Sequence, residues 1–248
     1  MISYIQKDGI GILKLNRPEK RNALHPDLVK QMKEKLIEIR NDDNVKVLII
    51  TGEGKAFCAG ADLSYLNELI NFSSIENEKD TEDLAELFLM IYKYPKPTIA
   101  AVNGAAIAGG CGLASVCDLI VADEDHSRFG YSEVKIGFVP AIVSIFVIKR
   151  IGEGIARQLL LTGEIISGKR AYEVGFVNYL YNNVLEGATE VASNILKNSS
   201  FSMKETKSMI SAVSGLSVDD AVNYCVRLNA ISRSSKDFKE GLESFLKK

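Results

Sequence analysis

Glu133 is the carboxylate in this sequence whose surroundings best suit proton transfer. It lies in "FGYSEVKIGFVP", where the aromatic, small and apolar neighbours predict a largely buried segment. Burial disfavours the charged form and would raise the pKa of Glu133 toward a value useful for general acid–base catalysis. A carboxylate at a strand edge, paired with Lys135 or Arg128, explains the same residues equally well.

Two turns rich in glycine and alanine could supply hydrogen-bond donors beside such a carboxylate. In "FCAGADL" and "AAIAGGCGLA", small residues follow a predicted strand and precede a predicted helix. The first N–H groups of a helix have no partner within it, and glycine lets a ligand approach the backbone closely. Taken singly, each turn is better explained as a tight connection. Together, Ala61 and either Gly109 or Gly110 would form an oxyanion hole.

Other polar residues near these turns have simpler explanations. Asp62 is expected to cap the start of a helix, and Asp118, which enters a strand, is expected to be structural. Cys58 and Cys111 could be nucleophiles in principle, but no histidine lies near either of them in the sequence. We therefore expect both thiols to be buried and unreactive.

Two glycine motifs resemble nucleotide-binding loops but fit them poorly. Around "GEGKA", Ile49 stands where the phosphate-binding loop requires glycine, and Ala56 stands where it requires Ser or Thr. Gly110 and Gly112 follow a strand and open a helix, as a dinucleotide fingerprint does, but the next acidic residues come too soon to bind a ribose. A nucleotide-binding oxidoreductase is therefore a weak interpretation.

The elements that must position these residues alternate between strand and helix through the first two-thirds of the chain. This alternation predicts an α/β core. The polar stretch "NFSSIENEKD" is expected to be mobile. The predicted strands are residues 2–7, 10–15, 45–51, 97–102 and 117–123, and the predicted helices begin at Pro26 and at about Thr81.

The last quarter of the chain is predicted to be helical. We therefore divide the chain into a core with the candidate site, residues 1–184, and a helical region, residues 185–248. The apolar faces of these helices need a partner, which makes oligomerisation plausible. The predicted helices are residues 185–197, 202–213, 217–232 and 236–247.

The composition excludes several classes of protein. The 248 residues are 46% hydrophobic and 25% charged, which suits a folded domain with a sizeable core. The net charge is −2 and there is no basic stripe, so a nucleic-acid partner is not expected. No apolar run is long enough to span a membrane. Four cysteines without a CxxC pair and only two histidines predict a cytoplasmic protein with reduced thiols and no metal site.

Four segments together resemble the enoyl-CoA hydratase/isomerase (crotonase) superfamily: "NRPEKRNAL", "FCAGADL", "AAVNGAAIAGGCGLASVCDLIVA" and "FGYSEVKIGFVPA". Their order and spacing match over nearly the whole chain. The resemblance implies a crotonase-type spiral of ββα units with a C-terminal helical region for trimerisation and lid formation. It also implies homotrimers or hexamers, and acyl-CoA thioester substrates with no cofactor beyond that coenzyme A.

The resemblance also implies roles for individual residues. The thioester carbonyl would bind between the N–H groups of Ala61 and Gly109, and Glu133 would be the acid–base residue. The remaining residues implied in coenzyme A binding are Asp62, Leu63 and Ser64 along the thioester arm, Ala59, Asn22, Ala23 and Leu24 near the adenine, and Lys20, Arg21 and Lys247 as phosphate candidates.

One position departs from the pattern of the two-glutamate hydratases in this superfamily. Gly112 stands where those members carry their other catalytic glutamate. A single glutamate resembles the enoyl-CoA isomerases and some branched-chain hydratases, including methylglutaconyl-CoA hydratases. We therefore expect a hydratase, with an isomerase that moves a β,γ double bond to the α,β position as the alternative. A non-catalytic acyl-CoA-binding or assembly subunit is the alternative of another class.

Overall fold

A computed structural model describes residues 1–247 of the chain. Within that range, the strands form two sheets that differ in size. The strands are β1 (Ile2–Lys7), β2 (Ile10–Leu15), β3 (Val47–Gly52), β4 (Ala56–Cys58), β5 (Thr98–Val102), β6 (Ala105–Ile107), β7 (Leu119–Asp123), β8 (Arg128–Gly130), β9 (Ile165–Ser167) and β10 (Tyr179–Tyr181).

The larger sheet has six strands in the order β1-β2-β3-β5-β7-β10. The β1–β2 pair is an antiparallel hairpin, and every other pair in this sheet is parallel. The smaller sheet has four strands in the order β4-β6-β8-β9, of which the first three are parallel. Since parallel strands end at the same edge, whatever follows β4, β6 and β8 is brought together.

Helices connect the strands and cover the sheets. Two short 3₁₀ helices, Pro18–Lys20 and Ser132–Ile136, lie in the loops after β2 and β8. The α-helices are α1 (Pro26–Arg40), α2 (Leu63–Leu69), α3 (Ser74–Tyr92), α4 (Gly109–Ser115), α5 (Ala141–Thr162), α6 (Gly168–Glu173), α7 (Val184–Ile195), α8 (Ser200–Val213), α9 (Val218–Ser234) and α10 (Lys236–Leu246).

The strand β3 shows why the larger sheet is covered on both faces. All its residues are buried, as expected of a parallel strand between two layers of helix. Val47 and Ile49 pack in the cluster that includes α7, whereas Leu48 and Ile50 pack in the main core with α1 and α3. The alternation of side chains along one strand therefore serves two hydrophobic layers.

The helices predicted for the last quarter of the chain are present, with ends within two residues of those expected. The first of them, α7, packs against the larger sheet and buries Val184, Ala188, Val191 and Ala192. By contrast, α8, α9 and α10 contain no buried residue. The division of the chain at residue 185 and the role of its helices in trimerisation stay predictions.

Two local expectations differ from the structure. The polar stretch at 71–80 contains the first turns of α3, because Ser73 and Glu76 form a capping box in which each side chain accepts a hydrogen bond from the other's backbone N–H. The segment 52–58, which none of the predicted strands covers, contains the short strand β4. Within residues 1–247, no helix is long and apolar enough to cross a membrane.

Candidate active site

Three predicted site residues follow three neighbouring parallel strands at the same edge of the smaller sheet. Ala61 comes shortly after β4, Gly109 after β6, and Glu133 after β8. The backbone N–H of Ala108 donates to the carbonyl oxygen of Gly130 at 2.8 Å, which ties the end of β6 to the end of β8. The fold therefore gathers residues that are far apart in sequence.

The turn at residues 59–62, called the Ala61 turn below, is fixed by pairing with Leu24. The N–H of Leu24 donates to the carbonyl oxygen of Gly60 at 2.7 Å, and the N–H of Asp62 donates to the carbonyl oxygen of Leu24 at 2.8 Å. In such a parallel bridge, the residue between the two bonds points its own N–H away from the partner strand. The N–H of Ala61 donates to no group in residues 1–247.

Asp62 holds the end of the same turn. One of its carboxylate oxygens accepts from the N–H of Ser64 at 2.9 Å, which caps α2, and the other accepts from the guanidinium of Arg17 at 2.9 Å. Asp62 and Arg17 are both buried. The hydrogen bond from Arg17 is the main reason that the pKa of Asp62 lies below its usual range. The predicted helix-capping role of Asp62 is confirmed.

The turn at residues 108–110, called the Gly109 turn below, has a strained backbone. Ala108 adopts φ 52° and ψ −124°, a conformation that residues with a side chain rarely adopt. Gly109 then begins α4, and its N–H also donates to no group within residues 1–247. Ala61 and Gly109 are both half-buried, so neither residue is fully covered by the rest of the described chain.

The two turns lie against each other. A side chain added at Gly60 would place its Cβ 2.9 Å from the carbonyl oxygen of Ile107 and 3.7 Å from the nitrogen of Gly109. A side chain added at Gly110 would place its Cβ 2.0 Å from the carbonyl oxygen of Cys58. Glycine at both positions is therefore what allows the two turns to approach this closely.

Glu133 is a buried carboxyl group with an unpaired oxygen. It lies in the 3₁₀ helix after β8, is 7% exposed, and its Oε2 atom has no hydrogen-bond partner in residues 1–247. Burial raises the pKa of Glu133. No ion pair joins it to Lys135 or Arg128 in this part of the chain, and Arg128 instead donates to the backbone carbonyls of Asp125 and Ser127. The structural interpretation of Glu133 as half of an ion pair is therefore wrong.

The segment around Glu133 is less buried than expected. Tyr131 and Glu133 are buried, but residues 135–139 are exposed. The prediction of a largely buried "FGYSEVKIGFVP" is therefore wrong for its second half. The tight 3₁₀ turn explains the difference, because it directs Glu133 inward while Gly137, at φ 76°, leads the chain back to the surface.

The space beside Gly112, the position that departs from the two-glutamate pattern, is filled by apolar side chains. A Cβ added at Gly112 would lie 2.3 Å from Cγ1 of Val143 and 3.1 Å from Cε2 of Phe88. Phe88 in turn packs edge-on against Phe146, with ring centroids 6.3 Å apart. Val143 and Phe146 lie on α5, so this helix forms an apolar wall behind α4.

The cysteines near the site are unsuited to nucleophilic chemistry. Cys58 and Cys111 are fully buried, and loss of hydration raises the pKa of each thiol to about 12. Such a thiol is almost wholly protonated at neutral pH. The expectation that both are buried packing residues is confirmed.

The other residues predicted to bind the ligand differ in how accessible they are. Leu63 and Ser64 are exposed at the start of α2, and Ala59 is half-buried. Ala23 and Leu24 are buried. All of them lie on or beside the Ala61 turn, but their contact with a ligand stays a prediction.

The side chain of Asn22 is fully engaged in hydrogen bonds to neighbouring backbone groups. Its side-chain amide donates to the carbonyl oxygens of Glu53 and Ala56 at 2.9 and 2.8 Å, and its Oδ1 accepts from the N–H of Arg17 at 2.9 Å.

The basic residues predicted as phosphate candidates are exposed. Lys20 and Arg21 are exposed on the neighbouring 3₁₀ turn. Lys247 lies after α10, with its Nζ 3.9 Å from Glu243.

Comparison with known proteins agrees with this geometry. A family model described as "Enoyl-CoA hydratase/isomerase" matches residues 6–248. The chain belongs to the enoyl-CoA hydratase/isomerase family. An enoyl-CoA hydratase homologue from Thermus thermophilus is 40% identical over 246 residues, covering 98% of this chain and 97% of its own. The short-chain-enoyl-CoA hydratase of Clostridium acetobutylicum is 33% identical over 249 residues, covering 98% and 94%.

Solved structures of the enoyl-CoA hydratase/isomerase family share the fold. The crystal structure of an enoyl-CoA hydratase from Shewanella pealeana superposes with a TM-score of 0.95 at 30% identity, covering 99% of this chain and 93% of that one. The predicted crotonase-type α/β fold and the expectation of an enzyme of this family are both confirmed.

Sequence reasoning missed two residues that shape the site. Arg17 was present in the "NRPEKRNAL" motif, but its partner Asp62 is 45 residues away. A buried arginine needs a hydrogen-bond acceptor, and the only hint of its partner in the sequence was the aspartate of "FCAGADL". Val143 belongs to an apolar helix without any mark in the sequence that distinguishes it from its neighbours, so only the structure shows that it fills the space at Gly112.

Proposed function

We propose that this protein hydrates an unsaturated acyl-CoA thioester through an enolate held in an oxyanion hole. One observation carries the proposal: two backbone N–H groups without partners in residues 1–247 and one buried carboxyl group follow β4, β6 and β8 at one sheet edge. The hydratase named in Clostridium acetobutylicum supports hydration as the reaction.

In the proposed mechanism, the two unpaired donors bind the thioester oxygen. The N–H groups of Ala61 and Gly109 donate to that oxygen, and their bonds strengthen as negative charge develops on it in the enolate. Removing one such donor from an enzyme typically costs about 3 kcal/mol of transition-state stabilisation. Neither donor belongs to a side chain, so the backbone of the two turns stabilises the enolate in this mechanism.

Glu133 accounts for the proton in this mechanism. As a carboxylate it takes a proton from water while the water oxygen bonds to the β-carbon, and the electrons of the double bond move onto the thioester oxygen. Protonated Glu133 then gives that proton to the α-carbon, and the enolate electrons form the new C–H bond. One water is added, and Glu133 returns to its starting form. A carboxyl group with a raised pKa suits both steps.

The apolar wall at Gly112 favours a second candidate reaction, isomerisation of the double bond. Val143 and Phe88 leave no space for another carboxylate at this position. In isomerisation, Glu133 removes a proton from the α-carbon of a β,γ-unsaturated thioester and returns it to the γ-carbon. The electrons of the broken C–H bond move onto the thioester oxygen to give a dienolate, and protonation at the γ-carbon moves the double bond to the α,β position. The dienolate carries its charge on the same oxygen as the enolate of hydration, and no water takes part, which matches one acid–base group beside an apolar wall.

The coenzyme A contacts that we propose follow the accessibility of the residues. Leu63 and Ser64, exposed at the start of α2, together with Ala61 and Asp62, form one side of a path for the thioester arm. Residues 22–24 and Ala59 are proposed to meet the adenine through backbone groups, because the side chains of 22–24 are buried. No cofactor besides the coenzyme A of the substrate is proposed.

We also propose that the protein assembles as a homotrimer or a pair of trimers. The support is the state of α8, α9 and α10, which bury no residue in the single chain and leave large apolar side chains exposed. Examples of these exposed side chains are Val218, Val226, Ile231 and Phe245. Such faces require a partner surface.

A mass-spectrometric screen tests the reaction. The protein is incubated with crotonyl-, 3-hexenoyl- and methylglutaconyl-CoA in deuterated water. Hydration adds the mass of one deuterated water, whereas isomerisation shifts the double bond and leaves the mass unchanged except for exchanged hydrogens. Product from either arm supports the oxyanion-hole mechanism. Tight binding of the thioesters in calorimetry, with no product from any of them, would show instead a non-catalytic acyl-CoA-binding subunit.

A further inference from the structure

Arg17 is a buried charge next to the proposed site that no part of the proton-transfer mechanism uses. It lies two residues after β2 and is 9% exposed. One guanidinium nitrogen donates to the carbonyl oxygen of Ala23 at 2.8 Å, and the other donates to Asp62 Oδ2 at 2.9 Å. Two N–H donors in a fixed planar fork thus bind acceptors on two different segments.

Those two segments are the ones that meet at Ala61. Ala23 precedes Leu24, whose N–H and carbonyl oxygen pair with Gly60 and Asp62 on either side of Ala61. The guanidinium of Arg17 therefore links the two segments a second time. It binds the carbonyl oxygen of Ala23 on one segment and the carboxylate of Asp62 on the other. The direction of the N–H of Ala61 depends on the relative position of the two segments.

The charge pair does more than add stability. Asp62 also caps α2 through Ser64, so movement of its carboxylate would move the start of that helix and the peptide before it. Without the cation, the buried carboxylate of Asp62 would be more stable where water or another donor could reach it, so it would move. Since a misplacement of about 1 Å can reduce catalysis 100-fold, small shifts of this peptide matter for a hydrogen bond to a developing oxyanion.

We propose that Arg17 is a positioning residue for the oxyanion hole, aiming the N–H of Ala61 at the thioester oxygen by clamping Ala23 to Asp62. This inference rests on the proposed function. Arg17 does not touch the reacting atoms, and its effect passes through the Leu24–Ala61 bridge.

The experiment compares Arg17→Gln and Arg17→Lys with a control in a second, less buried ion pair. The ammonium of Lys207 donates to a carboxylate oxygen of Asp118 at 2.7 Å, and the two side chains are 13% and 30% exposed, against 10% and 5% for Arg17 and Asp62. Asp118 stands just before β7, at the edge of the larger sheet opposite the carboxyl ends of the strands. Lys207→Gln therefore breaks an ion pair outside the proposed site.

The principal readout is the infrared carbonyl band of bound butyryl-CoA labelled with ¹³C at the thioester carbon, because this saturated thioester cannot be hydrated. Wild-type protein and Lys207→Gln are expected to shift the band to lower frequency than in solution. Arg17→Gln is expected to lose most of that shift. Its kcat should fall about 10- to 100-fold with KM changed less than about threefold. Arg17→Lys should recover only part of both effects, because an ammonium lacks the planar fork.

The outcomes separate the two proposals. A full wild-type band shift and kcat in folded Arg17→Gln would overturn the role of Arg17 and leave the oxyanion hole standing. No band shift in the wild type would overturn the oxyanion hole, and the role of Arg17 with it. If both Arg17 variants fail to fold, Asp62→Asn takes their place, since asparagine can still cap α2 without the charge. An unchanged band shift in that variant would equally overturn the role of Arg17.

Discussion

The Ala61 turn and the Gly109 turn present the same chemical group, a free backbone N–H, but they are held in different ways. The Ala61 turn is held by polar groups: a bridge to Leu24 and the buried pair of Arg17 and Asp62. The Gly109 turn has one backbone hydrogen bond, from Ala108 to Gly130, and is otherwise held by contacts that leave no room for side chains, such as that between Gly110 and the Cys58 carbonyl. The Ala61 turn should therefore be sensitive to substitutions that change charge, and the Gly109 turn to substitutions that add side-chain volume.

This difference explains why the two turns leave unequal traces in the sequence. Glycines and alanines in "AAIAGGCGLA" indicate the packed turn directly, because close approach of backbone segments requires them. The polar turn depends on partners distributed over residues 17–24 and 60–62, which no single motif contains. Neither backbone donor can be removed by truncating the side chain of its own residue. The difference between the two turns is therefore tested by substituting the residues around them.

The largest effect is expected from Gly110→Ala. The new Cβ would lie 2.0 Å from the carbonyl oxygen of Cys58, so α4 must move away from β4. We expect a loss of about 3 kcal/mol or more in the free energy of unfolding, and a fall in kcat of at least about 100-fold. Urea denaturation and steady-state kinetics measure the two. Gly154→Ala is the control, because a Cβ there meets nothing within 4 Å; an equal loss in both variants would contradict the packing argument.

An intermediate effect is expected at Gly112, where the neighbour is a side chain. Gly112→Ala should cost about 1–3 kcal/mol of stability, because its Cβ would lie 2.3 Å from Cγ1 of Val143. In a Val143→Ala background that cost should shrink by at least about 1 kcal/mol. A double-mutant cycle of unfolding free energies measures this coupling. Strictly additive losses would show that Val143 does not fill the space at Gly112.

The smallest effect, and the one that separates the turns most clearly, is a pH dependence. Because Arg17 lowers the pKa of Asp62 in the folded state, the pair stabilises the protein fully above the unfolded pKa of about 3.9, and that contribution is lost as the pH falls through the lower folded value. The stability difference between wild type and Arg17→Gln should therefore be constant above about pH 5 and shrink below about pH 4.

The matched measurement for that pH dependence is Gly112→Ala, whose loss comes from volume alone. Its difference from wild type should stay constant over the same pH range, measured by urea denaturation at each pH. A Gly112→Ala loss that also shrinks in acid, or an Arg17→Gln loss that does not, would contradict the distinction between the charge pair at the Ala61 turn and the close packing around α4.

Much of the fold could be predicted because the long elements have strong patterns. The helices α7 to α10 and the strands β3, β5 and β7 were all expected within about two residues of their ends. The short strands β4 and β8 have only three residues each, too few for an alternating pattern to develop. The start of α3 was missed although "SSIE" carries a capping box, because the segment is otherwise polar.

The candidate site could be predicted in its reacting groups but not in its supports. Glu133 can be recognised within its own segment because it is an acid among apolar residues. The two turns can be recognised because each is a run of small residues. The clamp between Arg17 and Asp62 and the contact of Val143 with Gly112 join segments 31 or more residues apart. Such contacts depend on how the strands and helices assemble, and composition or periodicity within one segment does not determine them.

In the proposed mechanism one buried carboxyl group moves the proton, so Glu133→Gln should be assayed on the substrate that the wild type converts. We expect kcat to fall about 100-fold or more with thioester binding retained, while the exposed control Glu173→Gln keeps full activity. In the wild type, kcat/KM should rise with pH through an apparent pKa above the ordinary glutamate value of about 4.3, because burial raises the pKa of Glu133. Unchanged turnover in Glu133→Gln would show that another group moves the proton.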